Sequence, residues 1–203
     1  MQRIKALFLD RDGTIIYDEL GGYVKTIEQV RFVPRAEEAL AAAKRAGYKL
    51  VLVTNQAGIA RGIITEERVR EINHYIQAHL KACGAELDLC YYAPAHPDYP
   101  NPHYDHLLSW RKPDTGMIEQ AIAEFAVQGV ELDRTASYLI GDKQIDVACA
   151  YRAGLRPILV MTGYGELEKC EKKNTLPYHV ASDIYEAIMT FILKHEPIDI
   201  EKT

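Results

Sequence analysis

The sequence lacks the features by which several classes of protein are recognised. Its 203 residues include 24 basic and 29 acidic side chains, a formal net charge of -5, so there is no basic excess to attract a nucleic acid. No apolar run approaches the roughly 18 residues that cross a bilayer. The apolar segment near the N-terminus is too short for a secretory signal. We therefore expect a cytoplasmic protein with neither a membrane nor a nucleic-acid partner.

Cysteine is also scarce. The four cysteines are Cys83, Cys90, Cys149 and Cys170. No two of them have the Cys-x-x-Cys spacing that is typical of zinc or redox motifs. Cys149 stands among alanines in a predicted helix, where a small apolar side chain suits the core. Disulfides are not expected, because cytoplasmic thiols stay reduced.

The chain does contain a regular alternation of short apolar runs and helical segments. Strands are predicted at 6–9, 49–53, 87–92, 137–140 and 157–161, with a short edge strand at 179–181. Helices are predicted at 35–46, 66–83, 115–126, 147–153 and 183–194. This alternation predicts an α/β fold with a parallel sheet and right-handed crossovers. The length suits one domain, 1–203, with an irregular Pro-rich loop at about 93–110.

The most informative stretch follows the first predicted strand. Asp10 and Asp12 stand two residues apart where the apolar run becomes a loop, directly before Gly13. Ligands of open α/β sheets bind at the carboxyl ends of the strands. An acidic pair there can hold Mg²⁺, or one carboxylate can attack phosphorus while the other moves a proton. Asp and Gly are also ordinary turn residues, so this motif alone leaves both interpretations open.

Polar residues follow other predicted strands as well. The second strand ends in Thr54, whose hydroxyl can hold phosphate oxygens together with backbone N–H groups. Arg111 and Lys112 precede a helix and suit a phosphate-bearing ligand. The fourth strand is followed by Asp142 and Asp146. Each motif alone could be a solvated turn. Together, however, the acidic residues could bind a cation, and the hydroxyl and the basic residues could bind an anion.

The connection at 17–34 is long for a loop between a strand and a helix. Long loops in small domains are usually functional or disordered. Because this one would lie beside the acidic pair, we favour a substrate-facing flap over a hairpin that merely covers the sheet.

In their order along the chain, these motifs resemble those of the haloacid dehalogenase (HAD) superfamily of phosphohydrolases. The matching residues are Asp10-x-Asp12-Gly13-Thr14, Thr54-Asn55, Lys112 and Gly141-Asp142 with Asp146. Within the superfamily, the D-glycero-D-manno-heptose 1,7-bisphosphate 7-phosphatases, and the related histidinol-phosphatases, are similar in the stretches FLDRDGTI, VTNQAGIARG, YYAPAHP, RKPDTGM and IGDKQID. The resemblance implies a three-layer doubly wound parallel sheet. No large insertion separates the motifs, so the fold is expected to be essentially capless.

The resemblance also implies a role for each motif residue. Asp10 would be the nucleophile that becomes an aspartyl-phosphate, and Asp12 would protonate the leaving alkoxide and then activate water. Thr54 and Lys112 would stabilise the transferring phosphoryl group. Mg²⁺ would be held by Asp10, the main-chain carbonyl of Asp12, and Asp142.

Further positions correspond to those with which the family contacts its substrate. Arg111 would contact the part of the substrate beyond the transferring phosphoryl group. The remaining positions are Asp18, Gly22, Tyr23, Asn55, Gln56 and Lys143.

One departure from the family concerns structural zinc, which the family usually holds in the loop after the third strand. The corresponding positions here are Ala93, Ala95, Leu108 and Trp110. The histidines of this loop are His96, His103 and His106, whose spacing without cysteine is weak evidence for a metal. Structural zinc is therefore not expected. Prolines and packing of Trp110 and the nearby tyrosines would hold the loop, unless those tyrosines line a substrate pocket.

The favoured function is Mg²⁺-dependent hydrolysis of a phosphate monoester of a small metabolite by a monomer or weak homo-oligomer. The leading substrate is D-glycero-D-manno-heptose 1,7-bisphosphate, which would lose its 7-phosphate, and the alternatives are histidinol phosphate or another sugar phosphate. A phosphotransferase and a catalytically silent binding protein are the hypotheses from other classes. The presence of both Asp10 and Asp12 argues against the silent protein.

Overall fold

The computed structural model of the chain describes residues 2–18 and 22–194. Its centre is a sheet of seven strands. The strands are β1 (Gln2–Leu9), β2 (Tyr48–Asn55), β3 (Leu89–Ala93), β4 (Val130–Leu132), β5 (Tyr138–Gly141), β6 (Arg156–Val160) and β7 (His179–Ala181). All the pairings between these strands are parallel, in the order β3-β2-β1-β5-β6-β7, and β4 pairs with the beginning of β1.

Helices cover both faces of this sheet. They are α1 (Ala36–Arg45), α2 (Glu66–Ala82), α3 (Gly116–Val127), α4 (Gln144–Arg152) and α5 (Leu167–Lys172). Short 3₁₀ helices lie at Ile27–Gln29, Asp105–Trp110 and Arg134–Ala136, and a π-helix lies at Glu186–Ile192. The result is the predicted three-layer α/β arrangement.

The side chains of β1 show how the layers are held together. Leu7 and Leu9 belong to the apolar cluster formed with α1, α2 and the π-helix, whereas Ala6 and Phe8 belong to the cluster formed with α3 and α4. All four side chains are completely buried. Alternation along a strand sends neighbouring side chains to opposite faces, so a strand covered on both faces must be apolar throughout. Cys149 of α4 is also fully buried, as predicted.

Several boundaries differ from those predicted. The three-residue strand β4 was not predicted, because it is too short to show a periodic pattern. Arg35 was expected inside α1 but precedes it in a left-handed conformation with φ of 63°. The end of the Pro-rich loop, expected to be irregular, forms the 3₁₀ helix Asp105–Trp110. The last helix was predicted at 183–194 without a stated type, and its central part is the π-helix Glu186–Ile192.

The parallel strands bring their carboxyl ends to one edge of the sheet, where the polar motifs follow β1, β2 and β5. Between β1 and α1, the described residues form only one short helix, Ile27–Gln29, so no cap domain covers this edge there. None of the helices in ranges 2–18 and 22–194 has the length and apolar character that a membrane span requires.

Candidate active site

A cavity of about 300 Å³ opens at the carboxyl ends of the strands. The predicted site residues that line it are Asp10, Asp12, Asp18, Gly22, Tyr23, Thr54, Asn55, Arg111, Lys112 and Lys143. The two predicted residues outside this lining are Gln56 and Asp142. Both contact lining residues or their neighbours, as described below. The structure therefore brings residues from distant parts of the chain into one site.

Lys112 lies buried between two carboxylates. Its Nζ is 2.8 Å from Oδ1 of Asp10 and 2.6 Å from Oδ1 of Asp146. Burial alone would lower the pKa of Lys112, but the two neighbouring carboxylates raise it above its ordinary value. Burial would likewise raise the pKa of Asp10, but the charges of Lys112 and Lys143 outweigh it, so the pKa of Asp10 is lowered. Lys112 is consequently a cation and Asp10 an anion at neutral pH.

Asn55 at the end of β2 fixes the main chain at Lys112. Its Nδ2 donates to the carbonyl oxygen of Lys112 at 3.0 Å, and its Oδ1 accepts from the N–H of Lys112 at 3.0 Å. This reciprocal pair satisfies both backbone groups of one residue with one side chain. The predicted substrate contact Asn55 therefore also positions the cation of the site.

The carboxylate of Asp142 packs against two glycines, at positions where any side chain would collide with it. A Cβ at Gly13 would be 2.5 Å from Oδ2 of Asp142, and a Cβ at Gly163 would be 2.4 Å from the same atom. Gly13 also has a φ of +83°, which side chains disfavour. The N–H of Tyr164 donates to Oδ2 at 2.8 Å. Among the described residues, Oδ1 of Asp142 has no hydrogen-bond partner although it is buried.

Three carboxylates at this position could hold a metal ion. One oxygen from each of Asp10, Asp142 and Asp146 lies within 4.8 Å of the others. Asp146 is already engaged, because Oδ1 is paired with Lys112 and Oδ2 accepts from the N–H of Lys143 at 3.0 Å. Oxygen ligands of this kind suit a hard divalent cation such as Mg²⁺.

The protonation of Asp142 supports this fit. Burial, together with the charge of Asp10, raises the pKa of Asp142 to about 8. A buried carboxylate oxygen without a partner is unfavourable, and a cation beside it would remove both the missing contact and the repulsion. The residues present therefore fit a divalent cation held by Asp10 and Asp142. The carboxylate of Asp12 is not part of this group.

Asp12 is instead held by hydrogen bonds from two side chains. Nε2 of Gln56 donates to Oδ2 of Asp12 at 2.8 Å and to Oγ1 of Thr54 at 2.9 Å. The guanidinium of Arg11 contacts both oxygens of Asp12 at 3.0–3.2 Å. Gln56, predicted to contact substrate, thus lies behind the cavity and connects the ends of β1 and β2.

Two further cations face the cavity. Nζ of Lys143 is 3.2 Å from Oδ2 of Asp18 and 4.6 Å from the ring centre of Tyr164. Arg111 is half-buried, and burial lowers the pKa of its guanidinium. Its buried Nη1 has no hydrogen-bond partner within the part of the chain that the structure describes. A buried guanidinium nitrogen without a partner beside a cavity favours an anionic ligand.

Comparison with known proteins identifies relatives that cover almost the whole chain. A D-glycero-D-manno-heptose-1,7-bisphosphate 7-phosphatase of Chlorobaculum tepidum is 51% identical over 193 residues, which are 95% of this chain and 96% of the relative. A D-glycero-beta-D-manno-heptose-1,7-bisphosphate 7-phosphatase of Photorhabdus laumondii is 40% identical over 92% of this chain and 96% of the relative. A family model described as HAD-hydrolase-like matches residues 109–187. The chain belongs to the HAD-like phosphatase family.

The fold agrees with a solved HAD-like structure. The D,D-heptose 1,7-bisphosphate phosphatase of B. bronchiseptica, complexed with magnesium and phosphate, is similar with a TM-score of 0.77 and 28% identity. The match covers 96% of this chain and 99% of that chain. The resemblance drawn from the four motifs is therefore confirmed for the family and for the fold.

The HAD-like motifs did not reveal every residue of the site. Tyr164 and Glu166 line the cavity, and their position after β6, at the same edge of the sheet, was a signal that could have found them. Ile145 lines it between two motif residues. Arg11 and Asn73 lie behind Asp12, and Asn73 stands within α2, where no motif points to it.

Proposed function

We propose that this HAD-like protein is a Mg²⁺-dependent phosphatase that removes the 7-phosphate of D-glycero-D-manno-heptose 1,7-bisphosphate. The observation that carries the proposal is the buried pair of Asp10 and Lys112, an ionised carboxylate and a cation that both line the cavity. The relatives from Chlorobaculum tepidum and Photorhabdus laumondii are named for this activity. Histidinol phosphate and other sugar phosphates are the alternative substrates.

The reaction would proceed through an aspartyl-phosphate. A carboxylate oxygen of Asp10 attacks phosphorus, the bond from phosphorus to the sugar oxygen breaks, and the leaving oxygen takes a proton from the carboxyl group of Asp12. Water then attacks phosphorus, gives a proton to Asp12, and releases phosphate and the Asp10 carboxylate. Both side chains return to their starting protonation states, so the cycle is balanced.

Charge neutralisation supplies the rest of the catalysis. The transition state of phosphoryl transfer spreads negative charge over the equatorial oxygens, and positioned donors and cations stabilise it. Lys112 and the hydroxyl of Thr54 are the groups that would contact these oxygens. Asn55 would keep Lys112 in position through its two main-chain hydrogen bonds.

The cofactor would be Mg²⁺, with Asp10, the main-chain carbonyl of Asp12, and Asp142 as its ligands. Bound there, it would supply positive charge to the phosphoryl oxygens. Among the described residues, the charged groups in and around the cavity are six carboxylates and four cations: Asp10, Asp12, Asp18, Asp142, Asp146, Glu166, Arg11, Arg111, Lys112 and Lys143. When all are ionised, they carry two excess negative charges. A divalent cation and a phosphate dianion that enter together add no net charge to this set.

The size and charge of the cavity support a sugar bisphosphate. A volume of about 300 Å³ is at the small end of the range for metabolite sites. Arg111 and Lys143 provide positive charge beyond Lys112, and a second phosphate on the substrate would use it. Asp18, Gly22 and Tyr23 of the flap would contact the sugar.

The first experiment measures phosphate release from a substrate panel with Mg²⁺. The panel contains both anomers of heptose 1,7-bisphosphate, fructose 1,6-bisphosphate and histidinol phosphate. We expect one substrate to reach a kcat/KM of roughly 10⁴ M⁻¹s⁻¹ or more. Asp10→Asn should abolish this activity. Asp114→Asn, an exposed aspartate paired with Arg152 outside the cavity, should not change it. Activity that survives in Asp10→Asn would refute the nucleophile, and inactivity on the whole panel would refute the proposed function.

A further inference from the structure

Arg11 has an unusual environment for an arginine. Its side chain is only 1% exposed, and it is among the largest fully buried side chains of the chain. It stands between Asp10 and Asp12 in sequence, yet it does not line the cavity. Burying a guanidinium is unfavourable unless its donors are paired, so its partners show what the fold gains from it.

One partner of Arg11 is the carboxylate of Asp12. Nε of Arg11 lies 3.2 Å from each oxygen of Asp12, and Nη2 lies 3.1 Å from Oδ1 and 3.0 Å from Oδ2. Two nitrogens therefore face two oxygens, and the planar fork of the guanidinium restricts the orientation of the carboxylate.

The other partner is Asn73 on the buried side of α2. Nη1 of Arg11 donates to Oδ1 of Asn73 at 2.8 Å. Asn73 is 3% exposed and is separated from Arg11 by 62 positions in the sequence. A polar side chain on the apolar face of a helix is unfavourable unless it serves a buried group. The contact fixes the guanidinium from the side that Asp12 does not occupy.

We propose that Arg11, held by Asn73, is a positioning residue that fixes the carboxyl group of Asp12 for proton transfer. This inference rests on the proposed function, because it assigns the proton transfers to Asp12. Gln56 alone gives one hydrogen bond to Oδ2 and leaves the carboxyl group free to rotate about that contact. The Arg11 fork removes this freedom. A general acid must lie within hydrogen-bond distance of the leaving oxygen, so its orientation controls the rate.

The test separates positioning of Asp12 from general support of the fold. Asn73→Leu removes the acceptor for Arg11 with little change in side-chain size. Gln77→Leu is the matched control, since it removes an amide from the same helix that contacts the main chain of Asn73 but not Arg11. Both variants are assayed with Mg²⁺ on the best sugar bisphosphate of the panel. They are also assayed on acetyl phosphate or p-nitrophenyl phosphate, whichever the wild type hydrolyses.

The two kinds of substrate differ in their need for Asp12. Acetate and nitrophenolate leave without a proton, so formation of the aspartyl-phosphate from these compounds does not use the general acid. The quantity kcat/KM reports steps up to this first irreversible event. We expect Asn73→Leu to lower kcat/KM for the sugar bisphosphate by about 10- to 100-fold. For the activated substrate, kcat/KM should stay within about threefold of the wild type.

A second readout follows from the second step of the reaction. Hydrolysis of the aspartyl-phosphate needs Asp12 for every substrate, so kcat should fall for both. Phosphorylated protein should then accumulate in acid-quenched samples of Asn73→Leu, and not in those of Gln77→Leu. If Asn73→Leu does not fold, Arg11→Lys serves instead, because one ammonium cannot hold both Asp12 and Asn73.

Two results would overturn the inference while leaving the proposed function intact. An equal fall in kcat/KM on both substrates would show that the Arg11–Asn73 contact supports the whole site rather than Asp12. Unchanged kinetics on both would show that the contact has no catalytic consequence. A wild type that hydrolyses no member of the panel would overturn the proposed function, and this inference with it.

Discussion

Lys112 is the residue on which the charges of the site depend most directly. Its side chain is 2% exposed, and its ammonium is paired with Asp10 and Asp146. Removal of a buried cation leaves its partners as uncompensated buried charges, which is more damaging than the pair itself is stabilising. The effects of this removal on stability and on catalysis can be separated. Asp146 contacts Lys112 but is not the proposed nucleophile, which is Asp10, so the charge of Asp146 can be removed without replacing the nucleophile.

We expect Lys112→Met to abolish phosphatase activity and to lower the free energy of unfolding by roughly 3 kcal/mol or more in a chelator. The double variant Lys112→Met/Asp146→Asn should recover part of the stability, because one of the two unpaired carboxylates becomes neutral. It should recover no activity, since the phosphoryl oxygens would still lack their cation. Urea unfolding and the phosphate-release assay measure the two effects. Wild-type stability of Lys112→Met would contradict this account of the buried pair.

At the same scale, the sequence predicts some site residues better than others. Asp10, Thr54 and Lys112 could be predicted because they stand at strand ends or before a helix, where an α/β sheet binds ligands. Arg11 could be seen but not interpreted, since nothing in its neighbourhood shows that it is buried. Asn73 could not be predicted, because its role depends on which face of α2 packs against the end of β1.

Among the elements, the loop at 93–110 departs most from the family. The four positions at which the family usually has zinc ligands carry no metal-binding side chain here. The structure nevertheless connects the loop to the first turn of α2 through Glu66. Oε1 of Glu66 accepts from the hydroxyl of Tyr92 at 2.5 Å, and Oε2 accepts from the hydroxyl of Tyr104 at 3.1 Å. Arg70 contacts both Glu66 and Tyr92 at 2.9 Å. This network joins the end of β3, the loop and α2 in one place.

We expect Glu66→Ala to loosen the loop, because each hydrogen bond to a charged group contributes roughly 1.5–3 kcal/mol. Chymotryptic cleavage within 93–110 should become about tenfold faster or more. A tenfold change requires the free energy of local opening of the loop to fall by only about 1.4 kcal/mol. A zinc-selective chelator should not change the rate for the wild type. Glu67→Ala is the matched control, because this exposed neighbour occupies the same helical turn and forms none of the four hydrogen bonds described above. Equal cleavage rates for both variants would show that the tyrosines do not hold the loop.

Sequence reasoning at the level of elements succeeded where periodic patterns were long. The completely buried parts of β1 and β2 were predicted, because few other structures accept such apolar runs, whereas the more exposed first four residues of β1 were missed. β4 has only three residues and depends on pairing with the start of β1. The π-helical geometry of Glu186–Ile192 had no counterpart in the local sequence pattern, which predicted only a helix.

In the molecule as a whole, we expect Asp142 to couple metal binding to folding. Burial and the charge of Asp10 raise its pKa to about 8, whereas an unfolded aspartate has a pKa of about 3.9. Between these values the folded protein holds a proton that the unfolded chain has lost. The free energy of unfolding of the metal-free protein should therefore fall, through this group, as the pH rises from about 4 to about 8.

We expect the melting temperature in a chelator to fall from about pH 6 to about pH 8.5 more steeply for the wild type than for Asp142→Asn. The variant is the control because it keeps the size of the side chain and cannot ionise. Saturating Mg²⁺ should raise the melting temperature of the wild type, and more so at the higher pH, because the cation needs the ionised carboxylate and competes with its proton. Calorimetry at several pH values measures all three effects. Parallel curves for the two proteins in the chelator would mean that Asp142 is already ionised without the metal, in which case another cation of the site must compensate it.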